Sequence, residues 1–267
     1  MKRLEGKRAI ILGASSTDNM GQVMARRFIA EGAQVMVSGR KADVLEDFAK
    51  ETGAAWQACD ITQESSLAEL ADAAAERMGG VDIAVNATGW GLLEPFLDTT
   101  RQTLEEMTAL QFIGPYQFFQ AMLRKMAHSH GGEGGSIIQM SSATAVIMLE
   151  NHAAYMGTKA GIDHVVRCVA NEFGTEGVRA NSISPGLTDT PMNAEAAKVP
   201  GLFESFRKGY PLGRWGTSED IAEAAVFLAS DACFMTGENL QVNGGLCLRR
   251  NPTQEEMQAS IEAASAG

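Results

Sequence analysis

Apolar and polar positions alternate along the chain in two rhythms. Short apolar runs at Arg8–Leu12, Gln34–Ser38, Ala55–Cys59, Asp82–Asn86, Gly135–Met140, Arg179–Ser184 and Asn239–Val242 have the length and the turn-bounded ends of buried strands. Between them, Met20–Glu31, Ala42–Glu51, Glu64–Met78, Thr100–Ala127, His152–Gly174 and Ser218–Ser230 repeat apolar residues at helical spacing. Strand–helix alternation of this kind predicts an α/β fold, a single domain whose seven-stranded parallel sheet carries helices on both faces. The glycine-rich stretch at 131–135 reads as a turn before the fifth strand, not as a linker. Residues 187–217 break the alternation and are rich in Pro, Gly and Met, which predicts a substrate lid above the strand C-terminal ends.

Residues 1–245 are therefore read as the domain and 246–267 as a tail. In the tail, Thr253 and Glu256 have capping-box spacing, and Met257, Ile261 and Ala264 follow at helical spacing. Two readings of that helix stand equally, one packing it on its own domain or leaving it frayed, the other packing it on a neighbouring subunit.

Composition narrows the function classes. A domain of this size buries roughly 70–75% of its unfolded surface and needs no disulfides. Cys59, Cys168, Cys233 and Cys247 are scattered without metal-ligand or redox spacing, so reduced thiols in a cytoplasmic protein without a metal are expected. The net charge of −11 argues against nucleic acid and anionic membranes as partners. The basic start, Met1 to Arg8, is followed only by the short apolar run Ala9–Leu12, so neither a signal peptide nor a membrane span is expected.

The candidate chemistry centres on Tyr155 and Lys159, with Ser142 thirteen residues before the tyrosine. Residues four apart on a helix share a face. A free phenol ionises near ~10, and a fixed cation beside it lowers that value. Tyr155 is thereby expected to give and take protons near neutral pH, with Ser142 at the end of the fifth strand as a third hydrogen-bonding group.

A cofactor site is suggested upstream. Ile10 to Leu12 run into Gly13, and Met20-Gly21 open a helix, the arrangement in which a backbone turn and a helix N-terminus receive a pyrophosphate. The loop is enlarged and lacks a middle glycine, so side chains of Ser15, Ser16, Thr17 and Asn19 are candidates for contacts otherwise made by backbone. The second strand ends in Ser38, Gly39, Arg40 and Lys41 with no acid, a pattern suited to a 2′-phosphate and hence to NADP(H) over NAD(H), with Asp43 as the nearest acid.

These motifs coincide with others in order and spacing, and from about Gly6 to Gly245 the chain resembles the short-chain dehydrogenase/reductase family. Ser142, Tyr155 and Lys159 match its active-site pattern. Asp60 and Ile61 resemble its adenine contact, and Asn86 to Gly89 its segment after the fourth strand. Pro185, Gly186, Thr188 and Thr190 resemble its nicotinamide loop. The resemblance implies a Rossmann-like doubly wound sheet and hydride transfer between NADP(H) and a carbonyl or secondary alcohol. Tyr155 would be the proton donor or acceptor, Lys159 would lower its pKa and bind the nicotinamide ribose, and Ser142 would orient the substrate oxygen. Gln111 stands where the family's relay Asn belongs and is expected to keep an altered relay. Trp90, Met148, His152 and Met192 are candidate substrate contacts, with Val146, Ile147, Leu149, Phe96, Met156, Phe203, Phe206 and Trp215 as further walls suited to an apolar or aromatic ketone. An enoyl-thioester reductase of the same family and a catalytically silent cofactor sensor are the alternatives. The resemblance also implies a homotetramer, or a homodimer, paired through the two long helices and the last strand.

Overall fold

The computed structural model describes residues 2–266. The strands are β1 (Arg8–Leu12), β2 (Gln34–Gly39), β3 (Ala55–Ala58), β4 (Ile83–Asn86), β5 (Gly135–Met140), β6 (Val178–Pro185), the short β7 (Thr188–Asp189) and β8 (Gly216–Thr217), and β9 (Asn239–Val242). Seven of them form one sheet in the order β3-β2-β1-β4-β5-β6-β9, and every neighbouring pair is parallel. The order reverses between β1 and β4, which opens a crevice at the strand C-terminal ends. This is the doubly wound, Rossmann-like sheet expected from the alternation.

Successive residues of a strand point to opposite faces, and the core divides accordingly. Ile10, Leu12 and Ile137 face α3 (Glu64–Met78), α5 (Gly114–Met126) and α6 (Ala153–Phe173). Ala9, Ile11 and Ile138 face α1 (Met20–Ala30), α2 (Ala42–Thr52) and α9 (Ser218–Ala229). Asn19 caps α1 by accepting from the Gln22 N–H at 3.0 Å, and Thr217 with Asp220 closes a capping box on α9.

The helix expected over 100–127 runs from Arg101 to Met126 with a π-turn inside it. α4 (Arg101–Thr108) passes into a π-turn at Ala109–Ile113 before α5 begins. Pro115 has no N–H to continue an unbroken ladder. At Gly114 the backbone presses on Ile61, where a Cβ would stand 2.6 Å from the Ile61 carbonyl oxygen.

The segment 187–217, expected as a lid, contains the β7–β8 ladder, α7 (Ala194–Ala197) and α8 (Leu202–Arg207). Part of the expected apolar wall turns out to be lid interior. Phe203 and Trp215 meet edge to face at 5.3 Å, and Ile147, Phe206 and Trp215 pack with Tyr210 and Leu246. The tail forms α10 (Gln254–Ser265) with the expected capping box. It lies against α8 of its own chain, where Ser260 Oγ donates to the Gly201 carbonyl at 2.7 Å. Among the described residues no helix is long and apolar enough to cross a membrane.

Phe118 is fully buried against α3 and the sheet. Phe118→Ala is expected to lower unfolding free energy in urea by about 3–5 kcal/mol; a loss below about 1 kcal/mol would contradict its place in the core.

Candidate active site

α6 begins at Ala153 and carries Tyr155 and Lys159 one turn apart, over the end of β5. Lys159 is 3% exposed, and its Nζ donates to the Met140 carbonyl at 2.8 Å. The same Nζ stands 5.5 Å from the centre of the Tyr155 ring. Ser142 caps the short turn Ala143–Ala145, and its hydroxyl exchanges a hydrogen bond with Thr144 Oγ1 at 2.8 Å. The three residues are thus brought to one corner of the crevice.

Their electrostatics differ from the expectation in one respect. Burial pushes the Tyr155 phenol above its ordinary value, Ser142 draws it down, and the Asp163 carboxylate pushes it further up. Burial also lowers the Lys159 ammonium to about 8, opposed by Asp163. Burial is the largest influence on the phenol, and Lys159, whose ammonium is turned toward Met140, is not among the groups that draw it down.

Neighbouring side chains brace this corner. The Met140 carbonyl also accepts from Gln139 Nε2 at 2.8 Å, and Gln139 Oε1 accepts from Asn86 Nδ2 at 2.9 Å. Asn86 Oδ1 in turn accepts the Thr88 N–H and hydroxyl at 3.1 and 2.9 Å. Asn86, expected at the cofactor, is fully buried, and its side chain holds the tips of β4 and β5 together.

Gln111 is buried inside the π-turn. Its Oε1 accepts the Trp90 N–H at 3.0 Å, and its Nε2 donates to Thr158 Oγ1 at 3.0 Å. Both ends of the amide are therefore occupied in clasping the loop after β4 to α6. A Cβ on Gly89 would stand 3.4 Å from Gln111 Oε1 and 3.8 Å from Lys159 Nζ, so Gly89 lies between the two. His152 stacks on Tyr155 with ring centres 4.3 Å apart, and its Nδ1–H donates to the Leu92 carbonyl at 2.6 Å. Burial lowers its pKa, so the ring is neutral at pH 7 and acts as a wall behind the tyrosine. Val146, Met148 and Met192 are exposed apolar side chains on the β5 loop and the lid, with the Met192 sulfur 3.7 Å from where a Gly91 Cβ would be. Trp90, next to Gly91 in the chain, is half-buried, whereas Phe96 is largely exposed.

The expected cofactor residues line the C-terminal ends of β1, β2, β3, β4 and β6, and their side chains divide by availability. Asn19 is taken up internally, since its Oδ1 caps α1 and its Nδ2 donates to the Gly13 carbonyl at 2.8 Å. Ser38 is fully buried and donates to the Gln57 carbonyl at 2.7 Å, tying β2 to β3. Thr188 is buried with its hydroxyl on the Gly186 carbonyl, and Asp60 folds onto Thr62. Ile61 is buried, Pro185 closes β6, and Thr190 stays half-buried on the lid side. Ser15 and Ser16 are half-buried in the loop, and the Ser15 hydroxyl accepts the Lys41 N–H at 3.3 Å. Arg40 and Lys41 are exposed, and among the described residues no carboxylate forms an ion pair with either.

The enlarged loop is braced by amides where a middle glycine is missing. Gln22 Nε2 donates to the Ala14 carbonyl at 3.1 Å, and its Oε1 accepts the Asp18 N–H at 3.0 Å. A Cβ on Gly13 would stand 2.7 Å from the Ala87 carbonyl carbon, and one on Gly21 2.6 Å from the Gly13 oxygen. The backbone is thus drawn in at both glycines. The N–H groups of Met20 and Gly21 are first-turn donors that no intrahelical carbonyl can reach. This cradle fits a dinucleotide pyrophosphate, with Arg40 and Lys41 available at the adenosine end. Among the described residues, no cluster of three or more His, Cys, Asp or Glu is placed to hold a metal ion.

Sequence reasoning missed Ser141, Gln139, Thr158 and Asp163. Asp163 lies four residues after Lys159, so its place on the active face of α6 was available from periodicity. The other three depend on tertiary pairings: Gln139 with Asn86 across the sheet, Ser141 with Asp163 on α6, and Thr158 with Gln111 in the π-turn.

A family profile described as "Enoyl-(Acyl carrier protein) reductase" matches residues 13–247. The chain is 33% identical to D-threitol dehydrogenase of Mycolicibacterium smegmatis, over 92% of this chain and 95% of that one. It is 34% identical to 3beta-hydroxysteroid dehydrogenase 1 of Eggerthella lenta, over 92% and 95% respectively. A solved short-chain type dehydrogenase/reductase from Mycobacterium ulcerans superposes with a TM-score of 0.89 at 28% identity, covering 97% of this chain and 98% of that one.

Gly21→Val places a branched side chain against the Gly13 carbonyl and is expected to weaken dinucleotide binding at least about tenfold, or about 1.4 kcal/mol. Quenching of nicotinamide fluorescence measures this, with circular dichroism reporting the fold; unchanged affinity in a folded variant would oppose the cradle.

Proposed function

Because the chain belongs to the short-chain dehydrogenase/reductase family, an NAD(P)(H)-dependent oxidoreductase acting on CH–OH groups, we propose that it exchanges a hydride between NADP(H) and an apolar ketone or its secondary alcohol. The carrying observation is the corner in which Lys159 Nζ, seated on the Met140 carbonyl, stands 5.5 Å from the Tyr155 ring with Ser142 on the same side. A phenol, a hydroxyl and an ammonium together move one proton on or off an alcohol oxygen. When bound, the dinucleotide supplies or removes the hydride.

In this reading Ser142 orients the substrate oxygen and Tyr155 holds or releases its proton. A cation facing the phenol makes that proton easier to lose, so Lys159 acts by turning part of its charge from Met140 toward Tyr155. Each pKa unit so gained amounts to about 1.4 kcal/mol. Gln111 and His152 hold the walls of the corner, and Gln111's occupied amide makes it a clasp in preference to a relay. Gly13, Met20 and Gly21 receive the pyrophosphate. The unpaired, exposed Arg40 and Lys41, with no acid at 38–41, support the preference for NADP(H).

The relatives span a small polyol and a steroid by name, so kinship leaves the substrate open. The exposed apolar side chains of Val146, Met148 and Met192 near Tyr155 support an apolar or aromatic ketone. The family profile's description favours a second reading, reduction of an enoyl thioester. The four-residue Tyr155–Lys159 spacing and the adjacent Ser142 favour the alcohol–ketone pair over it. We further read residues 1–245 as one catalytic domain under the 187–217 lid. Exposed Leu104, Ile113 and Tyr116 support pairing of copies through α4, α5 and α6, and ultimately a homotetramer. Sedimentation at the mass of a single chain would oppose that.

Tyr155→Phe is expected to lower kcat by roughly 10²–10⁴-fold while leaving dinucleotide affinity intact; unchanged turnover would refute the role. Replacing Arg40 and Lys41 together with alanine is expected to lower the NADPH-to-NADH ratio of kcat/KM at least about tenfold. A wild-type preference for NADH would overturn the cofactor assignment.

A further inference from the structure

One half-buried ionisable group beside this corner has no part in the chemistry above. Asp163 follows Lys159 by one helical turn and Tyr155 by two, so the three share a face of α6. Its Oδ2 accepts from Ser141 Oγ at 2.6 Å and from Asn239 Nδ2 at 2.6 Å. Ser141 follows β5, Asn239 opens β9, and β6 runs between them. Ser141 is also the residue after Met140, on whose carbonyl Lys159 sits. Two consecutive residues at the end of β5 are thus gripped by two residues one turn apart on α6.

We propose that Asp163 is a positioning residue of this site, a carboxylate held over three strand ends whose negative charge keeps the buried Lys159 ammonium charged and seated on Met140. This rests on the reading of Tyr155 and Lys159 given above.

A buried carboxylate persists as an anion when hydrogen bonds and a cation compensate it. Ser141 and Asn239 supply the hydrogen bonds. The other carboxylate oxygen, Oδ1, is buried without a hydrogen-bond partner among the described residues, as is the hydroxyl of Ser182 on β6. Every group that β5, β6 and β9 bring to Asp163 (Ser141, Ser182 and Asn239) is neutral. On α6 the titratable groups in its field are Lys159 and Tyr155. Burial still holds the Asp163 carboxyl above its ordinary value, and Lys159, whose charge draws it back down, is the cation that answers it. The charge acts on both groups in one direction, favouring the protonated ammonium and opposing ionisation of the phenol.

Asp163→Asn separates charge from grip, because asparagine keeps the shape and an oxygen for Ser141 or Asn239. With the anion gone, Lys159 sheds its proton at lower pH and Tyr155 ionises more easily. The pH profile of kcat for alcohol oxidation is expected to move to lower pH, its alkaline limb by about one unit. A profile that falls in height with both limbs in place would mean a purely structural role and would overturn the proposal. The wild-type protein gives a second test through carbon NMR of labelled aspartate. Asp163 is expected to be ionised at pH 7, and a protonated Asp163 would equally overturn the proposal, whether or not the variant folds. Failure of the underlying reading looks different: the wild type would then turn over no alcohol or carbonyl compound, while the NMR result would still decide the charge on Asp163.

Discussion

A lysine ammonium withdrawn from water and set on a single carbonyl is the constraint around which this corner is built. Lys159 is 3% exposed and its pKa is lowered to about 8 by burial. Such a charge is held only where polar partners stand in fixed places. The Met140 carbonyl is one, and it is fixed in turn by Gln139, Asn86 and Thr88, which lock the tips of β4 and β5. The position of the ammonium therefore depends on the register of the central strands. The parallel pairing of β4 with β5 sets Asn86 opposite Gln139, and a slip of one residue would point both side chains to the wrong face.

From that point the crevice follows. The sheet reverses between β1 and β4, so the loops after these strands diverge and leave the cradle of Gly13, Met20 and Gly21 open. Asn19 and Gln22 hold this loop with side-chain amides, which accounts for its enlarged form and missing glycine. On the far side, Gln111 fastens the Trp90 loop to α6, and the tail helix fastens the lid helix α8. Tyr155 and Lys159 on α6, Ser142 after β5 and the candidate dinucleotide cradle thus gather at the strand ends, while the candidate substrate walls sit on loops.

How much was legible in the sequence varied with how local the cause was. The strand from Arg8 to Leu12 and the helix from Glu64 to Met78 appear where their apolar patterns put them, because a run bounded by Gly13 and a clean helical period are local signals. The four-residue step from Tyr155 to Lys159 was equally readable. What spacing did not show is that the polar side chains of Ser38, Asn19 and Asn86 are claimed by partners that only the folded sheet or loop brings near. The helix over 100–127 was legible as one helix, and only the π-turn inside it, which leaves the apolar period intact, was not. The direction of the Tyr155 shift was misjudged because spacing shows which charges are neighbours but not how dry the site is. In the tail the capping box was legible, whereas its packing on α8 was not, since the Ser260–Gly201 hydrogen bond joins residues 59 apart along the chain.

The central claim is that the Ser142, Tyr155 and Lys159 corner handles the proton of an alcohol oxygen while a hydride moves at the carbon that bears it. The most direct measurement follows the hydride itself, using NADPH deuterated at nicotinamide C4 with a ketone that the enzyme turns over, and locating the label in the product by mass spectrometry and NMR. The account predicts deuterium on the carbinol carbon. Product without deuterium, or turnover confined to enoyl thioesters with the label on the carbon β to the carbonyl, would contradict it.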